Sequence, residues 1–222
     1  SDFSSQFGFG SSAAVVVALA KALSIYFQIS MTEREIFELA YQAVLDVQGV
    51  GSGFDVAASV YGGTIYYVTP GTVIEQIYVG DLPMVVGYTG IKADTPTLIR
   101  QVAELKRNEG WVESVFADIT KLVDRSKTLF VKQDFAQLGK LMNKNQKLLT
   151  TLNVSSVELD QLIKTSKDSG AYGAKLSGAG GGDCMIAFVS PDKKEQVVEA
   201  LKKASGIWMN VKTGAEGVRI EP

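Results

Sequence analysis

The chain has 222 residues, 46% hydrophobic and 21% charged, which suits one large globular domain or two small ones with a real core. A net charge of −2 leaves no basic excess to neutralise phosphates, so composition argues against a broad nucleic-acid surface. With no histidine and a single cysteine, Cys184, the chain cannot build a Cys/His zinc site, a Ser-His-Asp triad or an internal disulfide, and it fits a reducing cytoplasm.

Taken in chain order, residues 11 to 27 are almost uninterrupted apolar sequence and predict a buried helix. Its longest apolar run, 13 to 20, is too short to cross a bilayer and is preceded by Gly and Ser rather than by a basic segment, so no membrane span or secretion signal is expected. Thr32 with Glu35 three residues on has the spacing of a capping box and opens a helix over about 33 to 48. A glycine-rich stretch follows, then a short helix over roughly 54 to 61. Residues 64 to 68 and 73 to 79 read as strands around a Pro-Gly turn, and 84 to 88 as a short interior strand.

From Asp94 to about Gly170 helical patterns dominate, over about 95 to 108, 111 to 131, 134 to 151 and 156 to 169. Leu138, Leu141, Met142, Leu148 and Leu149 keep a helical spacing suited to a core. Strands return over 174 to 177 and 184 to 189. A helix over 191 to 204 and two strands near 207 to 213 and 217 to 221 complete the chain. Cys184 lies in an apolar run and reads as a buried structural thiol. The fold class is α+β, with a mixed N-terminal half and a C-terminal half of helices over an antiparallel sheet.

Three segments can carry chemistry. The first is Gly8-Phe9-Gly10-Ser11-Ser12-Ala13-Ala14, which runs straight into a helix. Glycines let a backbone turn with its N–H groups inward, and a helix N-terminus adds partial positive charge, so the segment either binds phosphate or merely caps the helix. It is not a Walker A loop, because no lysine stands at the needed position. The second is Gly51-Ser52-Gly53-Phe54-Asp55, in which Asp55 is either a helix-terminal acid or a base beside a reacting hydroxyl. The third is Lys175-Leu176-Ser177-Gly178-Ala179-Gly180-Gly181-Gly182-Asp183, longer than a hairpin needs and therefore suggestive of ligand contact.

Together, in this order, the three segments resemble the GHMP kinases, the family of galactokinase, homoserine kinase, mevalonate kinase and phosphomevalonate kinase. Gly8 to Ala14 is similar to that family's second motif, with Phe9 in place of Leu, and Ser177 to Gly182 to its third. The resemblance implies a two-lobed fold, ribosomal-S5-like in its N-terminal half and ferredoxin-like in its C-terminal half. Residues 1–90 would be the remainder of an ATP-binding domain and 91–222 the C-terminal domain. It also implies an enzyme using ATP and Mg2+, with Asp55 catalytic. Gly8, Gly10, Ser11, Ser12 and Ala13 would lie on the ATP phosphates, with Ser12 also on the metal. Ser177, Gly178, Ala179, Gly180 and Gly181 would lie in the substrate and phosphate region, with Thr89 and Thr95 as further candidates for substrate contact.

Within the family, Val86-Gly87-Tyr88-Thr89-Gly90 and residues 139 to 176 resemble archaeal-type mevalonate kinases. Gly51-Ser52-Gly53-Phe54-Asp55-Val56 and Gly182-Asp183-Cys184 resemble phosphomevalonate kinases. The first resemblance is the more extensive and implies phosphorylation of the 5-hydroxyl of mevalonate; the second implies phosphorylation of 5-phosphomevalonate. A non-catalytic nucleotide- or sugar-binding sensor of the same fold, or a subunit that completes another polypeptide's active site, is the reading from another class. Eleven residues before Asp55, where mevalonate kinases tend to carry a magnesium-binding Glu, stands Val44. Asp46 is two residues away, about 200° around a helix axis, and does not substitute. The family's leading strand and Pro-Gly-Lys-like segment are not in this sequence. That implies a missing N-terminal segment, or a separate chain that supplies it; a homodimer is the other partner expected, beside the small-molecule substrate.

Overall fold

The computed structural model describes residues 10–78 and 80–221. These fall into two compact units, residues up to 81 with 212 onward, and 82–211. The division differs from the expected break at 90/91 in two places. The strand at 84–88 is a central strand of the second unit's sheet, and the chain's last stretch returns to the first unit.

In the first unit, α1 (Ser11–Tyr26), α2 (Glu33–Gln48) and α3 (Phe54–Tyr61) precede an antiparallel pair, β1 (Thr64–Val68) and β2 (Val73–Tyr78). The capping box forms as the spacing predicts: Glu35 N–H donates to Thr32 Oγ1 (3.3 Å), and Thr32 N–H donates to Glu35 Oε2 (2.7 Å). α2 turns Ile36, Phe37, Ala40, Tyr41 and Val44 inward, where they meet Ala13, Val17 and Ala20 of α1 and Val56, Ala57 and Val60 of α3. α1 departs from the expected all-round burial. It buries only a stripe of Ala13, Val17, Ala20 and Ser24, while Val15 and Leu19 stand 55% and 56% exposed. A helix apolar on every side signals cover on every side, and here α2 and α3 cover one side.

The expected strand over 217 to 221 is not formed. That stretch meets the end of α3, where Val218 N–H donates to Val60 O (3.1 Å) and one bridge joins Gly62 to Glu216. Its neighbours there are helix-end carbonyls rather than a strand edge, so its β-like pattern finds no ladder.

The second unit contains β3 (Met84–Tyr88), α4 (Thr95–Asn108), α5 (Trp111–Val131), α6 (Phe135–Thr151), α7 (Val157–Asp168), β4 (Gly173–Ser177), β5 (Cys184–Phe188), α8 (Lys194–Lys203) and β6 (Ile207–Met209). α8 is preceded by a 3-10 turn at Pro191–Lys193. The four strands are antiparallel in the order β4-β5-β3-β6, the ferredoxin-like arrangement. Ala174, Leu176, Met185, Ala187 and Val85 pack on Leu159, Leu162 and Ile163 of α7 and on Val197, Val198 and Leu201 of α8. On the other face Phe188 packs with Leu138 and Met142 of α6. Among the described residues, no helix is long and apolar enough to cross a membrane.

β4 is an edge strand, and the amide side chains of α6 cover its outer edge. Asn143 Oδ1 accepts from Ala174 N–H (3.1 Å), and its Nδ2 donates to Tyr172 O (3.3 Å). One turn on, Gln146 Oε1 accepts from Leu176 N–H (2.9 Å), and its Nε2 donates to Ser155 Oγ (3.0 Å). Gln146 is only 6% exposed, so removing its amide strands the N–H of Leu176 away from water. Gln146→Leu therefore lowers stability by roughly 1–3 kcal/mol, read by urea unfolding, because a buried donor loses its partner while the replacement side chain is similar in size but apolar.

Candidate active site

The expected site residues lie in both units, and each group has its own geometry. In the first unit, Gly10 adopts the left-handed conformation (φ 69°) immediately before α1, and its carbonyl accepts the first helical bond from Ala14 N–H (3.0 Å). Ser11, Ser12 and Ala13 form the first turn. Among the described residues no side chain caps that turn, and no acid stands in it, so its first backbone N–H groups are available to an anion. Ser12 is exposed, Ser11 half-buried and Ala13 buried. Gly8, the remaining residue of this motif, lies outside the described residues.

Asp55 is the second residue of α3, half-buried, with Oδ1 accepting from Val56 N–H (3.0 Å). It lies against the start of α1: a Cβ on Gly10 would stand 3.2 Å from Asp55 Cβ and 3.9 Å from Oδ2. The carboxylate is thus beside an anion-attracting helix end, and its second oxygen accepts no hydrogen bond from a described residue. Val44 is buried in the core of this unit, and Asp46 is exposed and accepts from Gln42 Nε2 (2.7 Å). Among the described residues no group of three acidic, histidine or cysteine side chains could hold a metal. A hydroxyl at Ser12 and a carboxylate at Asp55 fit a cation that a nucleotide supplies with most of its oxygens.

In the second unit, the glycine-rich loop runs from Ser177, the last residue of β4, to Cys184, its partner across the ladder. Gly181 N–H donates to Val154 O (2.8 Å), which ties the loop to the segment between α6 and α7. Asp183 stands in the left-handed region (φ 54°). Its N–H donates to Ile91 O (2.7 Å) and its Oδ1 accepts from Ala93 N–H (3.2 Å). Thr89 serves this loop: its hydroxyl donates to Asp183 O (3.1 Å) and accepts from Ile91 N–H (3.2 Å). Thr95 opens α4 and is exposed. An open apolar cavity of about 370 Å³ lies beside Ala179, walled by Leu98, Ile99, Val102, Phe116 and Val154.

Strand alternation puts Lys175 and Ser177 on the face opposite Ala174 and Leu176. The Lys175 ammonium is enclosed and donates to Leu176 O, and burial pushes its pKa down to about 8. Cys184 is buried as expected, and burial, with Asp183 adding to it, pushes the thiol up to about 12, so it is a poor nucleophile. The cover of β4 by Asn143 and Gln146, and the two tyrosines described below, were not foreseen from sequence. Their partners lie 10 to 31 residues away, outside any local period.

Two family descriptions match the chain: "GHMP kinases N terminal domain" over residues 1–63 and "GHMP kinases C terminal" over 126–206. The chain belongs to the GHMP kinases. Similar relatives of this GHMP kinase chain include the mevalonate kinase of Pyrococcus horikoshii, 40% identical over 222 residues, and that of Thermococcus sibiricus, 38% identical over 220. Each alignment covers 96% of this chain and 65% of the relative, so the chain spans a little under two thirds of the length of the curated relatives it matches. Among solved GHMP kinases, the L. major mevalonate kinase in complex with R-mevalonate superposes with a TM-score of 0.78 at 34% identity, over 87% of this chain and 61% of that one. The Streptococcus pneumoniae phosphomevalonate kinase, at 23% identity over 93% of this chain and 69% of that one, has a TM-score of 0.79 and shares the fold.

Proposed function

We propose that the protein is an ATP-dependent kinase that transfers the γ-phosphoryl group directly to the 5-hydroxyl of mevalonate. The observation that carries this reading is the Asp55 carboxylate lying against Gly10 at the start of α1, whose first turn no described side chain caps. A base and a phosphate-binding helix end are what a direct transfer to an alcohol needs side by side. The relatives named mevalonate kinase support the choice of acceptor.

In this mechanism Gly8, Gly10, Ser11, Ser12 and Ala13 hold the ATP phosphates through backbone N–H groups and hydroxyls. Magnesium bound with ATP would neutralise phosphate charge, with the exposed Ser12 hydroxyl as the protein group that reaches it. Asp55 orients the attacking hydroxyl and takes its proton as the new phosphorus–oxygen bond forms and the bond to the leaving ADP oxygen breaks. Ser177, Gly178, Ala179, Gly180 and Gly181 face the substrate and the terminal phosphate. Thr89, whose hydroxyl is engaged with Asp183 and Ile91, acts by holding that loop.

The test is an assay of the full-length protein with ATP and either mevalonate or 5-phosphomevalonate, with products identified by phosphorus NMR. A higher kcat/KM for mevalonate is expected. Preference for 5-phosphomevalonate would make the residues flanking Asp55 the better guide to the acceptor. No transfer to either acceptor would overturn the reading.

A further inference from the structure

The segment that delivers Asp55 to its position is intrinsically loose. Residues 49, 51 and 53 are glycines, and glycine gives a backbone the most freedom to lose. A base aimed at a hydroxyl needs the opposite property, because small misplacements of a reacting group cost large factors in rate. Two phenols answer this need. Tyr41, on the buried face of α2, donates from its hydroxyl to Gly51 O (2.7 Å). Tyr67, on β1, donates to the next carbonyl, Ser52 O (2.6 Å). Consecutive peptide groups are thereby fixed from two separate elements.

Gly53 then passes between the same two rings. It is in the left-handed region (φ 81°), and a Cβ there would stand 2.7 Å from the Tyr67 hydroxyl oxygen and 2.9 Å from Tyr41 Cε2. α3 begins at the next residue, with Asp55 second in it. Burial, followed by the proximity of Tyr41 and Asp55, pushes the Tyr67 pKa up to about 12, so its hydroxyl stays a donor across neutral pH.

Ring packing alone does not account for the hydroxyls. Phe37 stacks on Tyr41 (centroids 5.6 Å) and meets Tyr67 edge-on (6.3 Å), contacts that a phenylalanine at either position would keep. We infer that Tyr41 and Tyr67 are positioning residues whose hydroxyls clamp residues 51–53 and thereby set the orientation of Asp55 toward the acceptor alcohol. This inference rests on the proposed role of Asp55. It assigns the tyrosines no contact with substrate.

The experiment compares Tyr41→Phe, Tyr67→Phe and the double variant with Asp55→Asn in the full-length protein. Each tyrosine substitution removes one oxygen and keeps the ring. Because misplacing a reacting group by about 1 Å costs on the order of a hundredfold in rate, the double variant is expected to lose about 10- to 100-fold in kcat. KM for ATP stays within about twofold, since neither hydroxyl is assigned to the nucleotide. Amide hydrogen exchange should accelerate at residues 52–55 while α2 remains protected, a readout that separates a loosened loop from a loosened fold.

Double-variant kcat within twofold of wild type, with Asp55→Asn inactive, overturns the clamp and leaves the catalytic reading standing. Unchanged exchange at residues 52–55 also overturns it, whatever the rate. Full turnover by Asp55→Asn overturns the catalytic reading and the clamp with it. If the double variant fails to fold, the two single variants carry the same comparison.

Discussion

Asp55→Asn lowers kcat by about 10²- to 10⁴-fold, the span that a positioned general base contributes. The substitution keeps the shape of the side chain and an oxygen able to accept from Val56 N–H, the one bond that Asp55 Oδ1 makes among the described residues. It removes the capacity to take a proton. Two readings of this carboxylate lead to opposite results. As a helix-terminal acid, Asp55 would contribute only about 0.5–1 kcal/mol of stability and nothing to rate. As a base beside the start of α1, it would account for the rate loss with the fold intact. KM for ATP should not rise, because removing a negative charge next to the helix end that receives phosphate does not weaken the nucleotide there. Steady-state kinetics together with a thermal melt distinguish the two readings.

Gly180→Ala has the second large effect, and it acts on the other unit. Gly180 has φ 90°, and a Cβ there would fall 1.9 Å from Val154 O. That carbonyl also accepts from Gly181 N–H (2.8 Å), so a methyl group would displace the bond that anchors the loop. Left-handed strain and a lost buried hydrogen bond together cost roughly 2–5 kcal/mol, which urea unfolding of the full-length protein should register along with loss of transfer activity. Gly178→Ala is the comparison. Its φ is also positive, at 82°, but nothing lies within 4 Å of its added Cβ. It should cost only the backbone term, about 1–2 kcal/mol. Equal losses for the two variants would mean that contact with Val154 is unimportant.

Local pattern carried much of this architecture. The capping box at Thr32, the short helix that bears Asp55 and the continuous apolar run of β3 were legible because each depends on residues a few positions apart. The Gly/Ser helix start and the glycine-rich hairpin were legible for the same reason. What escaped reading depends on distant partners. Gln146 looks like one more polar residue on a helix surface until β4, 30 positions on, places Leu176 N–H against it. The roles of Tyr41 and Tyr67 were not legible, since nothing local announces which carbonyl a phenol meets. α1 was misjudged because apolar composition reports what a helix can bury and not which of its sides the fold covers. The tail over 217 to 221 has strand-like residues but lies against the end of α3, where there is no ladder to join.

The central claim is that Asp55 acts on the proton of the alcohol while the phosphoryl group passes straight from ATP. The stereochemistry of the transferred group tests it most directly. With ATP made chiral at the γ-phosphorus by isotopic labelling, and mevalonate as acceptor, the full-length protein should give a product inverted at phosphorus, as a single in-line displacement requires. Retention would contradict the account, because it requires two displacements and hence a phosphorylated enzyme group as the intermediate.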